Sequence, residues 1–223
     1  MKQLATAPNL VDQVRAAILD EIASGRFAPG DRVLQESLAQ ALNVSRQPVQ
    51  QALMLLRAQG ILQAAPGRGL IVTALDPSHV QNMYDMRAVI EGLACLRAAR
   101  CATPALLRSG RALIEAGRRA VASASVPRMI DADIRFHAFL YALSGNALIE
   151  PALAPHLAYT QRVMGEVLNL HAGQPQAIWD EHQAIFEAID RGDGSAAERL
   201  AREHIGKAGL FIADKLLQGH PTH

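Results

Sequence analysis

Apolar residues return at helical spacing along almost the whole chain, and one short stretch breaks that rhythm in favour of strands. Leu10, Val14, Ile18 and Ile22 recur every fourth residue and predict a helix over about 9–24. Gly25 ends it, and Pro29-Gly30 makes a turn. Leu34, Leu38 and Leu42 mark a second, short helix. After a tight break at Asn43-Val44, Ser45 is placed to cap a third, with Val49, Leu53 and Leu56 facing inward and Gly60 closing it. Pro48 falls in the first turn, where its missing N–H would have no partner anyway. Ile61-Leu62 and Leu70-Ile71-Val72 then flank Pro66-Gly67-Arg68-Gly69, which reads as a β-hairpin.

Beyond a linker at 75–78 only helical patterns follow, over 79–100, 103–123, 126–143, 146–169, 175–191 and 194–217. Pro104, Pro127, Gly145, Pro175 and Gly192/Gly194 supply the breaks. The expected fold is mainly α: a winged helix-turn-helix, then an antiparallel bundle of about six helices. The expected organisation is a tail over 1–8, a first domain over 9–74, the linker, a second domain over 79–217 and a tail over 218–223. Hydrophobic residues make up 50% of the 223, enough for a core, while aromatics at 4% and scarce β-branched runs argue against an all-β fold. No apolar run approaches the roughly 20 residues that span a bilayer, and the N-terminus lacks the apolar stretch of a signal peptide. Cys95 and Cys101 are too few for a disulfide framework. The expectation is a soluble, cytoplasmic protein without membrane association.

Net charge is only +1, but its distribution separates the two parts. Up to Leu75 there are seven Lys/Arg against five Asp/Glu; from Asp76 on there are fifteen against sixteen. From Ser37 to Leu75 there is no carboxylate, and all eight histidines lie after residue 75. A helix that reads DNA needs polar residues in its first turns, an apolar back and no carboxylates facing phosphate. Ser45, Arg46, Gln47, Gln50 and Gln51 meet the first condition against the apolar Val49, Leu53 and Leu56. Arg can bridge guanine O6 and N7, and Gln can pair with adenine. Arg68-Gly69 at the hairpin tip, and Arg32, are placed to join them. Pattern alone also admits a small helical interaction module.

The residues go further. Pro29-Gly30, Leu34, Leu38-Ala39, the run Leu42-Asn43-Val44-Ser45-Arg46-Gln47-Pro48-Val49-Gln50-Gln51-Ala52-Leu53, Leu56, Gly60 and Arg68-Gly69 resemble the DNA-binding domain of the GntR family of bacterial transcription regulators. The likeness covers about 60 residues at many fixed spacings and implies a duplex operator as partner. Gln47, Gln50 and Gln51 depart from the Thr, Arg and Glu usual in that family; the missing second Arg bears on operator sequence rather than fold.

In the second part, Asp133 and His137 are four apart on one predicted helix and share a face, while His182 and His204 fall near the apolar seams of two later helices. One Asp and three imidazoles from three helices can hold a divalent transition ion with open positions; hydrogen-bonded core histidines are the plain alternative. Asp133-x-x-Phe136-His137, Ser144-Gly145-Asn146, Glu181-His182 with Ala188-Ile189, Gly192-Asp193 and His204 resemble the metal-binding FCD ligand domain, over about 79–217. That resemblance implies Asp133, His137, His182 and His204 as ligands of a metal, zinc or nickel, at the floor of an effector pocket. It also implies Arg87 facing a small carboxylate effector; Asn146 and Arg162 are weaker pocket candidates beside it. Against these stand a solvated Arg87–Glu91 pair and a capping role for Asn146. His79, His156, His171, His220 and His223 are assigned to linker, surface, loop or tail.

The expected protein is therefore a repressor, a homodimer on a pseudo-palindromic operator, modulated by an organic acid held at a metal. The apolar Val89, Leu93 and Leu96 offer a dimer surface. A metal-sensing repressor without an organic effector is the alternative. A metal-dependent enzyme is a weaker one, since the chain has no nucleophile elbow, phosphate loop or HExxH.

Overall fold

A computed structural model describes residues 10–170 and 175–219. The expected tail over 1–8, the loop position His171 and the tail histidines His220 and His223 lie outside the described residues. The chain divides into two units, one comprising the residues up to Ala74 together with Ala158–Glu166, the other Leu75–Leu157 together with the residues from Val167 on.

In the first unit, α1 (Leu10–Ala23) buries Val11, Val14, Ile18, Leu19 and Ile22. Leu10 is exposed and Val11 takes the inward place expected of it. Gly25 then adopts φ +78° and its N–H reaches the carbonyl of Ile22, the left-handed stop expected there. α2 (Gln35–Ala41) and α3 (Arg46–Ala58) are joined through Asn43 at φ +52°, a conformation whose strain Asn tolerates better than most side chains. Ser45 occupies the cap position of α3, but its hydroxyl makes no capping bond. Val49, Ala52, Leu53 and Leu56 form the buried back of α3, which packs on α1 and α2.

Strands β2 (Leu62–Ala64) and β3 (Leu70–Val72) form the hairpin, and β1 (Arg32–Val33) adds a third strand with no sequence signature. The order is β1-β3-β2, all antiparallel, with Arg32 opposite Ile71 and Leu62 opposite Val72. The Arg32 guanidinium donates to the carbonyls of Pro66 and Arg68, at 3.3 and 3.2 Å, and so clasps the hairpin tip.

The second unit holds α4 (Pro77–Cys101), α5 (Pro104–Ala122), α6 (Val126–Leu143), α7 (Ile149–Leu153), α9 (Pro175–Asp190) and α10 (Gly194–Gly219). α8 (Leu157–Leu170) begins after one 3₁₀ turn at Ala154–His156, and its middle belongs to the first unit. The single helix expected over 146–169 is thus two, divided where Pro155 lacks the N–H to continue the ladder. α10 runs to Gly219, two residues past the expected end. α4 packs along α10, and α5, α6 and α9 enclose Phe136, Leu140, Trp179, Ile185, Phe186 and Ile189. The absence of side chains at Gly110 and Gly117 makes room for the rings of Phe186 and Trp179, which a Cβ at either position would strike.

Candidate functional site

Two groups of residues carry chemistry, one in each unit. In the first, Ser45, Arg46, Gln47, Gln50 and Gln51 lie exposed on the first turns of α3, and Arg68 and Gly69 lie exposed at the hairpin tip. Arg46 is not free: it forms an ion pair with Glu36 on α2, and its carbonyl accepts from Gln35 Nε2 at 2.9 Å. Arg32 is committed to the hairpin carbonyls, so its first role is to shape the tip. The surface these residues make is polar, cationic and backed by a rigid core, as groove reading requires.

The second group is buried. α6 supplies Asp133 and His137, α9 supplies His182 and α10 supplies His204. The three imidazoles each offer a ring nitrogen within 4.8 Å of the others. His182 Nε2 lies 3.0 Å from His204 Nε2 and 3.6 Å from Asp133 Oδ1, while His137 Nε2 lies 3.8 Å from Asp133 Oδ2. Ligand nitrogens and oxygens at about 2.0–2.1 Å from a tetrahedral ion stand roughly 3.3 Å apart, and these separations bracket that value. Asp133 approaches two of the rings, so the tight group is the three histidines.

The surroundings fix the rings. Phe136 and Trp179 pack against His182, with ring centroids 4.6 and 4.7 Å away, Trp179 edge-on. Glu91 Oε2 lies 2.7 Å from His137 Nδ1, and Glu181 Oε2 lies 2.7 Å from His204 Nδ1. Burial pulls the His182 pKa well below 6.5, and the neighbouring cationic groups push the same way, so this ring is neutral. Burial would also lower His137, but Glu91 and then Asp133 outweigh it and raise that pKa. Burial would raise the carboxyl of Glu91; Arg87 first and His137 next reverse this and hold it at about 2. Glu181, accepting from His204, is held below the ordinary carboxylate range.

Arg87 is buried rather than solvated: its Nε donates to Glu91 Oε1 at 2.7 Å, and its guanidinium carbon stands 4.7 Å from the centre of the Tyr84 ring. Of the expected pocket residues it alone adjoins the histidine group, through Glu91. Asn146 is used locally, its Oδ1 accepting from the Leu148 N–H at 3.1 Å just before α7. Arg162 lies in the segment that belongs to the first unit; its guanidinium donates to the carbonyl of Thr73, while its Nε and Nη1 have no hydrogen-bond partner among the described residues. Glu91, Glu181, Tyr84 and Tyr141 were not singled out from sequence as site residues. The i,i+4 pairing of Arg87 with Glu91 and the adjacency of Glu181 to His182 were the available signals.

A winged helix-turn-helix followed by an all-helical domain with buried histidines defines a class of DNA-binding regulator. Residues 10–72 match the model of the bacterial regulatory proteins of the gntR family, and residues 82–207 match the FCD domain. The chain belongs to the GntR family of bacterial regulatory proteins, in the branch that carries an FCD domain. It is 26% identical to the HTH-type transcriptional repressor RspR of Escherichia coli K12 over 203 residues, 91% of this chain and 89% of that one. It is 30% identical to an HTH-type transcriptional regulator in an unstable DNA locus of Streptomyces ambofaciens over 182 residues, 80% of this chain and 75% of the relative. Its fold is that of the solved E. coli McbR/YncC, with a TM-score of 0.81 at 18% identity over 94% of this chain and 99% of the other. A GntR-type regulator from Rhodococcus sp. RHA1 gives 0.75 at 20% identity, over 95% and 99% of the two chains. These relatives and this fold are those of DNA-binding transcription regulators, not of enzymes. No described helix is long and apolar enough to cross a membrane.

Proposed function

We propose that this regulator is a homodimeric repressor whose binding to a pseudo-palindromic duplex operator is set by a small carboxylate held at a divalent transition metal in the helical domain. The observation that carries it is the convergence of three buried imidazoles, each with a ring nitrogen within 4.8 Å of the others, while Asp133 approaches the Nε2 atoms of His137 and His182 and carboxylates lie at the Nδ1 atoms of His137 and His204. Without an ion, one N–H···N bond between His182 and His204 serves only two of the rings, whereas a cation at the centre engages all three. The donor set, nitrogen-rich with one carboxylate, suits zinc or nickel. Bound there, such an ion supplies a Lewis-acidic centre with positions left for a carboxylate. Asp133, His137, His182 and His204 would hold it, and Arg87 stands beside them for the acid's charge. On the DNA side, Ser45, Arg46, Gln47, Gln50, Gln51, Arg68 and Gly69 would meet the operator, with Arg32 in support. The exposed Val89 and Leu93 of α4 and Leu210 and Phe211 of α10 offer apolar surface for a second copy. The repressor named among the relatives supports the sign, and a role on the operator would place the protein in the cytoplasm.

One observation favours a second reading, a repressor that senses the metal itself: Arg87 is already engaged by Glu91, which leaves the centre coherent without an acid. Operator gel shifts with metal-free protein, zinc- or nickel-loaded protein, and loaded protein with a panel of small carboxylates separate the two. Release that needs the acid supports the first reading, and a metal-only response supports the second. Identical affinity in all three overturns both.

A further inference from the structure

We infer that Glu91 and Glu181 are positioning residues that hold His137 and His204 from behind, in the tautomer and orientation that turn both Nε2 atoms to one centre. The inference rests on the metal-centre reading above and deepens it.

A neutral imidazole carries one proton, and the acceptor at one nitrogen decides which nitrogen keeps it. A carboxylate 2.7 Å from Nδ1 draws the proton there and leaves Nε2 a bare lone pair. Glu91 and Glu181 do this from different helices, α4 and α9, to rings on α6 and α10. Two unrelated pairs of elements thus give the same arrangement, with each carboxylate on the far side of the ring from the convergence. Salt bridges serving the fold alone have no reason to share that polarity. Of the two carboxylate contacts, His204 Nδ1 with Glu181 Oε2 has hydrogen-bond alignment, whereas His137 Nδ1 and Glu91 Oε2 stand 2.7 Å apart without it. His182 Nδ1 also has no hydrogen-bond partner among the described residues, and packing by Phe136 and Trp179 fixes that ring.

The two carboxylates differ in what else they hold. Glu91 is almost wholly buried, with one oxygen on Arg87 and the other on His137, so it joins the expected acid-recognising arginine to a metal ligand. Glu181 is 37% exposed, its second oxygen 3.4 Å from Lys207 Nζ, so it can be changed without opening the core.

The test uses the full chain, stripped of metal, with zinc alone titrated against a chelating indicator. Outer partners of metal-bound histidines typically contribute about 10–100-fold in metal affinity, and Glu181→Ala should lose that much with the metal-free melting temperature unchanged. Glu181→Gln, which keeps an acceptor, should lose less, and Glu91→Gln should weaken zinc as well. Nitrogen-15 histidine spectra of the metal-free chain supply the readout a merely structural role would not move. His204 should be protonated at Nδ1 in the wild type and shift toward Nε2 protonation in Glu181→Ala. If Glu181→Ala binds zinc as tightly as wild type while His182→Ala does not, the positioning role is wrong and the metal centre stands. If wild type binds zinc no better than His182→Ala, the metal centre falls and this inference with it.

Discussion

Glu36 on α2, the last carboxylate before a run of 39 residues without one, is ion-paired with Arg46 at the first position of α3. Under the proposed reading, the arginine offered to a base is held by an intramolecular acid that DNA would have to displace. Both side chains are about two-thirds exposed, so the pair adds little to stability and its weight falls on binding. Arg46→Ala should weaken specific operator binding by ~1–3 kcal/mol, the worth of one bidentate base contact. Glu36→Gln should instead tighten binding, most at low salt, because no acid then competes with the DNA. Gel-shift titrations at two salt concentrations check both, and an unchanged affinity in Arg46→Ala removes α3 from the interface.

Removing Arg87 leaves the buried Glu91 without its main cationic partner, with His137 left to offset its charge. Breaking one side of a buried ion pair costs about 3–5 kcal/mol, so Arg87→Ala should be strongly destabilised in urea. Adding Glu91→Gln should recover part of that loss, since the stranded charge is gone. A double variant less stable than Arg87→Ala alone contradicts the pairing as the source.

Zinc affinity should fall as the pH is lowered, because every ligand ring must be neutral. His137, whose pKa is raised above 6.5, sets the onset, so the loss begins above 6.5 rather than below it. The metal-free fold follows the opposite sign at this ring: its charged form lends stability that is complete below 6.5 and lost as pH rises through the folded value. His182, held well below 6.5, costs stability as pH falls through 6.5, because only the unfolded ring then takes a proton. Zinc competition titrations between about pH 6 and about pH 8 check the onset, and a flat profile overturns it.

A second copy should cover Val89 and Leu93. The paired change Val89→Asp with Leu93→Asp should turn a dimer into a monomer by light scattering, with helical content unchanged. A wild type that is monomeric alone and with DNA contradicts the dimer.

Much of this fold was legible in the sequence because its signals are local. Four-residue apolar spacing placed the long helices, and Gly25, Pro104 and Gly192 marked breaks that hold in three dimensions. β1 escaped notice because a two-residue strand has no periodicity to read, and it exists only through pairing with Ile71 and Leu70. Helical spacing and the resemblance together named the four ligand candidates; the acids beside their rings carry no such signal. Glu181 faces His204 only once α9 and α10 have packed, and Arg87 counts as buried only when α4 is covered. The contact of the Arg162 guanidinium with Thr73 is likewise beyond sequence reading, since it spans 89 positions.

Trp179 is the only tryptophan in the chain, and it stands edge-on against His182 with Gly117 at its back. Excited beyond the absorption of the three tyrosines, this protein therefore emits from one lamp mounted beside the candidate centre. A quenching ion or a shifted ring would dim or recolour the whole signal. Occupancy could then be followed in the unlabelled native chain by eye of a fluorimeter, in real time, while operator DNA is added and withdrawn.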